Sequence, residues 1–163
     1  MTNNKLYLYF LSLRGNYDRQ TPLRDNMETS CGFILVNYDS ILLLQYPQGH
    51  WSFPKGHIEE QDENHHETAM RELSEETGIE KVFIHDDWNA HTEYTFTRKG
   101  KEISKQVFWY LAETEELDVK LSNEHINYLW LSFDDTEKQL TFSQEKDIIN
   151  SLRTYRIKHD LKI

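Results

Sequence analysis

Apolar residues recur in short β-rich runs along most of the chain and then at helical spacing near its end. Residues 31–36 and 41–45 are two such runs on either side of the turn formers at 37–40, which predicts a β-hairpin. Further strands are expected at residues 81–84, 91–97, 106–112 and 128–131, with a turn at 99–101. A final amphipathic helix is expected from about Ser143, with its apolar stripe at Ile148, Ile149, Leu152 and Tyr155.

The clearest helix in the sequence is expected from about His65 to Thr77, because both of its ends carry termination signals. Asn64 stands three positions before Glu67, which is a capping-box-like start, and Gly78 stands where a helix needs a residue in the left-handed conformation.

The length of 163 residues predicts a single domain. Residues 1–29 combine an apolar patch at 6–13 with a polar stretch rich in turn formers, so we interpret them as an N-terminal extension that contributes one edge strand. The main domain is expected at residues 30–163. The apolar patch is far shorter than the ~20 residues that cross a bilayer, so no membrane association is expected.

Eighteen basic residues against 28 acidic residues give a formal net charge of -10. Such a surface repels nucleic-acid backbones, so DNA is not an expected partner, and a phosphate ligand has to be met by a metal ion or a local cationic pocket. The single cysteine, Cys31, excludes an intrachain disulfide and fits a reducing compartment. We therefore expect a cytoplasmic protein, and we expect it to be a monomer.

Three carboxylates of the expected helix fall on one face beside its apolar stripe: Glu72, Glu75 and Glu76. Like charges at this spacing destabilise a helix, and the helix dipole also disfavours negative charge in the C-terminal half. A divalent cation with oxygen ligands would remove the repulsion. The alternative is a solvated acidic face on which Arg71 pairs with Glu75.

The surrounding sequence favours the metal site. Residues 56–63 read GHIEEQDE and, after seven more residues, 71–79 read RELSEETGI. This pattern resembles the Nudix box, written G-x5-E-x7-R-E-U-x-E-E-x-G-U with U aliphatic. One departure is visible: six residues rather than five separate Gly56 from Glu63, while Asp62 keeps the first spacing and breaks the second.

The resemblance implies the Nudix fold, a single-domain α/β/α sandwich of the α/β (α+β) class with a mixed β-sheet. It also implies hydrolysis of a nucleoside diphosphate linked to another group, with Mg²⁺ or Mn²⁺ as cofactor. The implied metal ligands are Gly56, Glu72, Glu75, Glu76 and Glu124. Arg71 is expected to orient a glutamate, and Glu75, Glu76 and Glu124 are the candidates that act in catalysis.

Three further patches are similar to the asymmetric diadenosine tetraphosphate hydrolases: residues 45–57, QYPQGHWSFPKGH; 105–113, KQVFWYLAE; and 121–125, LSNEH. This likeness implies that a distant glutamate, Glu124, reaches back to metal or water. It also implies a set of substrate-binding residues. The candidate cations are His50, Lys55, Lys99 and Lys105. Tyr46 with either Tyr94 or Phe96 is the candidate adenine-stacking pair.

Three functions stay open on the sequence. The first is metal-dependent hydrolysis of a dinucleoside polyphosphate, such as diadenosine tetraphosphate to ATP and AMP. The second is an RNA 5′-pyrophosphohydrolase, the one case in which an RNA end would be the partner, and the net charge of -10 disfavours it. The third is a nucleotide-binding module without catalysis, which the complete carboxylate set disfavours.

Overall fold

The computed structural model describes residues 27–159. In chain order its elements are β1 (Met27–Asn37), β2 (Ser40–Gln45), β3 (Trp51–Ser52), β4 (Lys55–His57), α1 (His65–Thr77), β5 (Phe83–Arg98), β6 (Lys101–Glu113), β7 (Asn127–Ser132), α2 (Phe133–Gln139) and α3 (Ser143–His159).

These strands form a seven-stranded mixed sheet in which β1 is central. The path runs β3-β2-β1-β6-β5, while β4 pairs with β1 and β7 pairs with β2. The β1–β6 pair is parallel, with Met27 opposite Ser104 and Val36 opposite Glu113, and the other pairs are antiparallel. The predicted hairpin is confirmed as β1–β2.

The two faces of the sheet each bury a separate apolar core, because successive side chains of a strand point to opposite faces. Along β1, Ile34 and Val36 pack with Trp109 and with the α3 stripe. Phe33 and Leu35 pack on the other face, where α1 contributes its own apolar residues. The predicted α/β/α sandwich is therefore confirmed, with α1 on one face and α2 and α3 on the other.

Helix α1 spans His65–Thr77, as its end signals predict. The Asn64 side chain accepts a hydrogen bond from the Glu67 backbone N–H at 3.0 Å. Gly78 adopts φ 72° and its N–H donates to the Ser74 carbonyl at 2.9 Å, which closes the helix with a left-handed residue. The orientation of the carboxylates on this helix is thus fixed at both ends.

The strands extend further than the apolar runs suggest. Strand β1 begins at Met27, four residues before the expected start at Cys31. The two strands expected at residues 81–84 and 91–97 form one element, β5, whose pairing with β6 shifts between His85 and Asn89. Asp86 and Asp87 lie in that irregularity. A β-bulge lets a strand continue through polar residues that otherwise mark its end.

The short elements β3, β4 and α2 are missing from the sequence-based prediction. Strand β4 is only three residues long and pairs with β1, with Gly32 opposite Lys55. The edge strand expected within residues 1–29 falls in the part of the chain before Met27 that the structure does not describe, so it stays a prediction together with the boundary at residue 30. None of the helices within residues 27–159 is long and apolar enough to cross a membrane.

The close approach of β4 to β1 gives a testable prediction at Gly32. A Cβ at this position would lie 2.3 Å from the Pro54 carbonyl oxygen and 2.6 Å from the Lys55 Cβ, so the backbone of the β4 segment would have to move. We expect Gly32→Ala to lower the free energy of unfolding by ~1 to 3 kcal/mol. Urea unfolding followed by circular dichroism measures this change. An unchanged midpoint would contradict the prediction, because it would show that the β4 segment moves without an energetic cost.

Candidate active site

The three acidic side chains of α1 lie in three different environments. The side chain of Glu76 is 3% exposed, that of Glu72 13% and that of Glu75 60%. Glu76 is directed inward beneath β4, where its Oε2 accepts the Lys55 backbone N–H at 3.1 Å. The acidic face of the helix therefore runs from solvent into the protein rather than along its surface.

Glu72 lies directly against Gly56 of β4. A Cβ built on Gly56 would fall 1.8 Å from the Cδ of Glu72, so the carboxylate occupies the space that any other residue would need. Burial raises the pKa of Glu72, and the charges of Glu75 and Glu124 raise it further, while Arg71 opposes the change.

Glu76 has the strongest perturbation in the cluster. Burial raises its pKa from 4.5 to about 8, and the neighbouring carboxylates Glu72 and Glu124 add to the rise, whereas Lys55 opposes it. A buried carboxylate among like charges favours its protonated form unless a cation is present. In the absence of a cation, Glu76 thus carries a proton near neutral pH.

Glu124 reaches this cluster from a distant loop. The loop is held to the end of α1, because Lys120 N–H donates to the Thr77 carbonyl at 2.8 Å and Ser122 N–H donates to the Glu76 carbonyl at 3.2 Å. Its charge raises the pKa values of both Glu72 and Glu76. The structure therefore brings Glu124 beside the helix carboxylates, as the resemblance implies.

The contacts of Arg71 show whether Asp62 or Glu63 takes the place of the box glutamate that the extra residue displaces. Its Nε and Nη2 donate to the two oxygens of Asp62 at 3.1 and 2.8 Å, and its Nη1 donates to Glu72 at 2.9 Å. Glu63 is exposed, and its backbone N–H donates to the Glu67 side chain. The loop thus accommodates the extra residue between Asp62 and the start of α1. Asp62, and not Glu63, is the partner of Arg71.

The oxygen donors of the cluster suit a divalent cation chemically, although the side chains are not arranged as a complete set of ligands around one point. Among residues 27–159, no group of three or more His, Cys, Asp or Glu side chains is arranged to hold a metal ion. Glu72 is engaged by Arg71, and Glu75 points largely to solvent. Still, these side chains are hard oxygen donors, and burial together with the neighbouring carboxylates raises the pKa of Glu76 to about 8, so the cluster is the donor set that Mg²⁺ or Mn²⁺ prefers.

Two lysines stand next to the carboxylates. The Nζ of Lys55 donates to the Tyr46 hydroxyl at 2.9 Å. Lys105 is partly buried, and its pKa is lowered to about 8 by burial and by the charges of Lys55 and Arg98, against Glu28 and Glu72. Mutual repulsion between two partly buried ammonium groups marks a place where an anion would be stabilised.

The candidate cation Lys99 lies apart from these lysines. It occupies the exposed turn after β5 with φ 51°. Within residues 27–159, no hydrogen bond or ion pair joins it to the other candidate residues. Lys105, by contrast, is directly opposite Tyr94 in the β5–β6 ladder, so their side chains share one face of the sheet.

The aromatic candidates separate in the same way. Burial raises the pKa of the Tyr94 hydroxyl and the nearby charge of Lys55 opposes that rise, whereas Phe96 lies farther out under Arg98 at 5.7 Å. Tyr46 stacks on His50 with ring centroids 4.3 Å apart and planes at 14°. One face of Tyr46 is thus occupied by His50, and a base would have to use the other face or displace His50.

Two buried polar residues near the site are missing from the sequence-based prediction. His125 is 5% exposed, its Nε2 lies 3.8 Å from Glu76 Oε1, and its ring meets Tyr46 edge-on. Glu145 lies in the first turn of α3 and is also 5% exposed. A signal was present for Glu145, because it precedes Ile148 and Ile149 by three and four positions and so falls on the apolar stripe of α3.

Comparison with known proteins decides the family. The NUDIX domain family matches residues 27–152. The chain belongs to the Nudix family. Proteins of this family generally use divalent metal ions, which agrees with the donor set described above, and the resemblance shown by the box is thus confirmed.

Relatives of this Nudix hydrolase include enzymes of two substrate classes. The asymmetrical bis(5′-nucleosyl)-tetraphosphatase of Rattus norvegicus is 39% identical over 111 residues, which cover 64% of this chain and 72% of the rat protein. A crystal structure of the C. elegans Ap4A hydrolase in a binary complex superposes with a TM-score of 0.69 at 28% identity, covering 80% of this chain and 98% of that chain. An RNA pyrophosphohydrolase of Legionella pneumophila is 30% identical over 151 residues, covering 80% of this chain and 83% of that protein.

The pairing of Arg71 with Asp62 predicts different outcomes for two neighbouring acids. Asp62→Asn should reduce turnover about 10- to 100-fold, because it weakens the group that holds Arg71 against Glu72. Glu63→Gln, the matched control, should leave turnover within about twofold. Steady-state rates with Mg²⁺ measure both, and a larger loss for Glu63→Gln would place Glu63 in the box.

The raised pKa of Glu76 predicts a pH dependence of stability in EDTA. The folded protein keeps this proton up to about pH 8, whereas an unfolded glutamate releases it near 4.5. The folded state therefore binds more protons in this window, and the free energy of unfolding should fall by up to a few kcal/mol as pH rises from about 5 to about 8.5.

Glu76→Gln should remove most of that slope, and Mg²⁺ at pH 8.5 should restore stability to the native protein but much less to the variant. Urea unfolding at pH 5.5 and 8.5 compares the two proteins, because the other titrating groups contribute to both. Parallel stability profiles would contradict the assignment.

Proposed function

We propose that this Nudix hydrolase cleaves dinucleoside tetraphosphates asymmetrically, converting diadenosine tetraphosphate to ATP and AMP with Mg²⁺ or Mn²⁺. The observation that carries the proposal is that Lys105 is close to both Lys55 and Glu72 and lies directly opposite Tyr94 in the β5–β6 ladder. A phosphate chain can follow these cations from the carboxylates toward an aromatic side chain.

The residues that would hold the cation are Gly56, through its carbonyl, with Glu72, Glu75, Glu76 and Glu124. When bound, a divalent cation neutralises phosphate charge and makes water more acidic. Glu72 is kept in place by Arg71, whose own position is set by Asp62. This chain of contacts orients the ligand set before substrate arrives.

The hydrolysis itself is a displacement at phosphorus. The oxygen of water forms the new P–O bond, a bridging P–O bond breaks, and the nucleotide beyond it leaves. One of Glu75, Glu76 and Glu124 accepts the proton of the attacking water. Lys55 and Lys105, with His50 nearby, hold the negative oxygens of the chain, and stacking on Tyr94 or Tyr46 adds ~1 to 3 kcal/mol per base.

Asymmetric cleavage follows from this geometry. If one base is stacked at Tyr94 or Tyr46, the cleaved bond is set by its distance from that base rather than by the symmetry of the substrate. Tyr94 is the better placed of the two β5 aromatics, because it faces Lys105 and interacts with Lys55. Phe96 and Lys99 lie toward the turn that joins β5 to β6, so any contribution they make is to the affinity for the far end of the substrate.

The similarity to an RNA pyrophosphohydrolase supports a second candidate, hydrolysis of RNA 5′ ends. The net charge of -10 opposes it, because the body of an RNA requires a cationic track. The two candidates share the metal chemistry and differ in what lies beyond the phosphate chain.

A nucleotide panel with Mg²⁺ separates these functions. Diadenosine tetraphosphate, ATP and 5′-triphosphorylated RNA are incubated in ¹⁸O-labelled water and the products are identified by mass spectrometry. We expect ATP and AMP from the dinucleotide, with the label in only one of them. Lys105→Ala should weaken binding about tenfold or more without changing the products, whereas Lys101→Ala, a matched lysine in the same strand, should change little.

Other results would overturn the proposal in distinct ways. Two ADP molecules would exclude asymmetric cleavage. Faster release of pyrophosphate from the RNA would favour the second candidate. Binding of nucleotides without turnover under any metal would indicate a non-catalytic Nudix module.

A further inference from the structure

The arginine at the end of β5 reaches back along the hairpin rather than away from it. Arg98 is the last residue of β5 and pairs with Lys101 beside the turn. Its Nη2 nevertheless donates to Glu28 Oε1 at 2.5 Å, although Glu28 belongs to β1 on the far side of β6. Its guanidinium carbon lies 5.7 Å from the centroid of the Phe96 ring. The side chain of Arg98 is thus folded over the face of the hairpin.

The strand register places Glu28 beside the candidate phosphate path. Glu28 is directly opposite Lys105 in the parallel β1–β6 pair, and Lys105 is directly opposite Tyr94 in the β5–β6 pair. These three side chains therefore form one row on one face of the sheet. The Cα of Arg98 is four residues beyond that of Tyr94, or ~13 Å along the strand. Its side chain bridges this distance by returning toward the row of Lys105.

The ion pair between Arg98 and Glu28 is open to solvent. The side chain of Arg98 is 55% exposed and that of Glu28 is 24% exposed. From β4, the Nε2 of His57 also meets the Glu28 carboxylate, at 3.3 Å. Ion pairs with this exposure contribute little to stability, because water screens them. Arg98 can therefore exchange its carboxylate partner for another anion at little cost to the fold.

The carboxylate of Glu28 occupies a place where basic groups converge. It contacts Arg98 and His57 and belongs to the same row as Lys105. Within the described residues 27–159, however, no ion pair joins Glu28 to Lys105. A phosphate chain held by Lys105 would thus run beside the guanidinium of Arg98. A guanidinium group binds phosphate oxygens through two parallel N–H donors, so phosphate is a suitable replacement for the carboxylate.

We propose that Arg98 is a further phosphate-binding residue, and that Glu28 holds its guanidinium beside the phosphate path until the chain displaces the carboxylate. This inference deepens the proposed function and rests on it, because it requires Lys105 to bind the phosphate chain. Arg98 then binds the part of the chain beyond Lys105, on the side of the hairpin turn. Glu28 remains hydrogen-bonded to His57 after the exchange.

The alternative is that Arg98 only neutralises Glu28 and fastens the hairpin to β1. Arg98→Gln alone does not separate the two roles. It weakens anion binding in both cases, either by removing a phosphate partner or by leaving the charge of Glu28 uncompensated. The same substitution in a Glu28→Gln protein does separate them, because no carboxylate charge is left for Arg98 to neutralise.

The test measures the affinity for inorganic tripolyphosphate in EDTA by calorimetry. We expect Glu28→Gln to tighten binding about threefold, because the chain no longer displaces a carboxylate. Adding Arg98→Gln to this variant should weaken binding about tenfold. Adding Lys101→Gln instead should change it less than twofold, since Lys101 is the exposed ladder partner of Arg98 and carries the same charge. Circular dichroism confirms that each variant is folded.

Two binding results would overturn the inference. One is an effect of Arg98→Gln no larger than that of Lys101→Gln in the Glu28→Gln protein, because Arg98 would then act only on Glu28. The other is weaker binding after Glu28→Gln alone, because the carboxylate would then assist the anion rather than compete with it.

Kinetics provide a second readout with diadenosine tetraphosphate and Mg²⁺. Arg98→Gln should raise KM with little change in kcat, and a fall in kcat at unchanged KM would contradict a role in binding the chain. Tripolyphosphate carries no nucleoside, so its binding to Arg98 can hold even if the dinucleotide is not the substrate. Asymmetric cleavage can likewise hold even if Arg98 never leaves Glu28, so the two proposals fail separately.

Discussion

The contact between β4 and α1 is the constraint on which the site depends. Glu72 fills the space that a side chain at residue 56 would occupy, and Glu76 accepts the Lys55 backbone N–H from below. This contact places a lysine and two carboxylates within a single short strand and one helix turn. Because β4 has only three residues, its position is dictated by Gly32 of β1, which admits the Pro54 carbonyl against its backbone.

Opposite charges in this site are kept apart by elements from different parts of the chain. The carboxylates come from α1 and the 122–125 loop, while Lys55 and Lys105 come from β4 and β6. Arg71 is directed to Asp62 and Glu72 rather than to the phosphate path. Among residues 27–159, the two lysines that are proposed to face a phosphate chain are thereby left out of ion pairs with carboxylates, although the protein as a whole carries a net charge of -10.

Local signals made the main elements predictable. Helix α1 carries its own caps, and the hairpin carries its own turn, so both follow from neighbouring residues. The box likewise identifies the helix carboxylates, since they are three and four positions apart. The choice between Asp62 and Glu63 could not be made this way, because it depends on how an extra residue is accommodated in the loop. Lys105 is the better aligned of the two candidate lysines already in the sequence, but only the β5–β6 register shows that it, and not Lys99, lies opposite Tyr94.

The parallel pairing of β1 with β6 has a consequence for the order of assembly. These strands are adjacent along ten residue pairs, yet most of the domain lies between them in sequence. During synthesis, β1 can pair with β2 and β4 early, but its other edge stays open until β6 has been made. Closure of such distant pairs is slow compared with local hairpin formation. Lys105 of β6 and the loop acid Glu124 both arrive with or after that closure, so the α1 carboxylates meet these two groups only in the completed fold, whereas Lys55 of β4 is present before α1 is made.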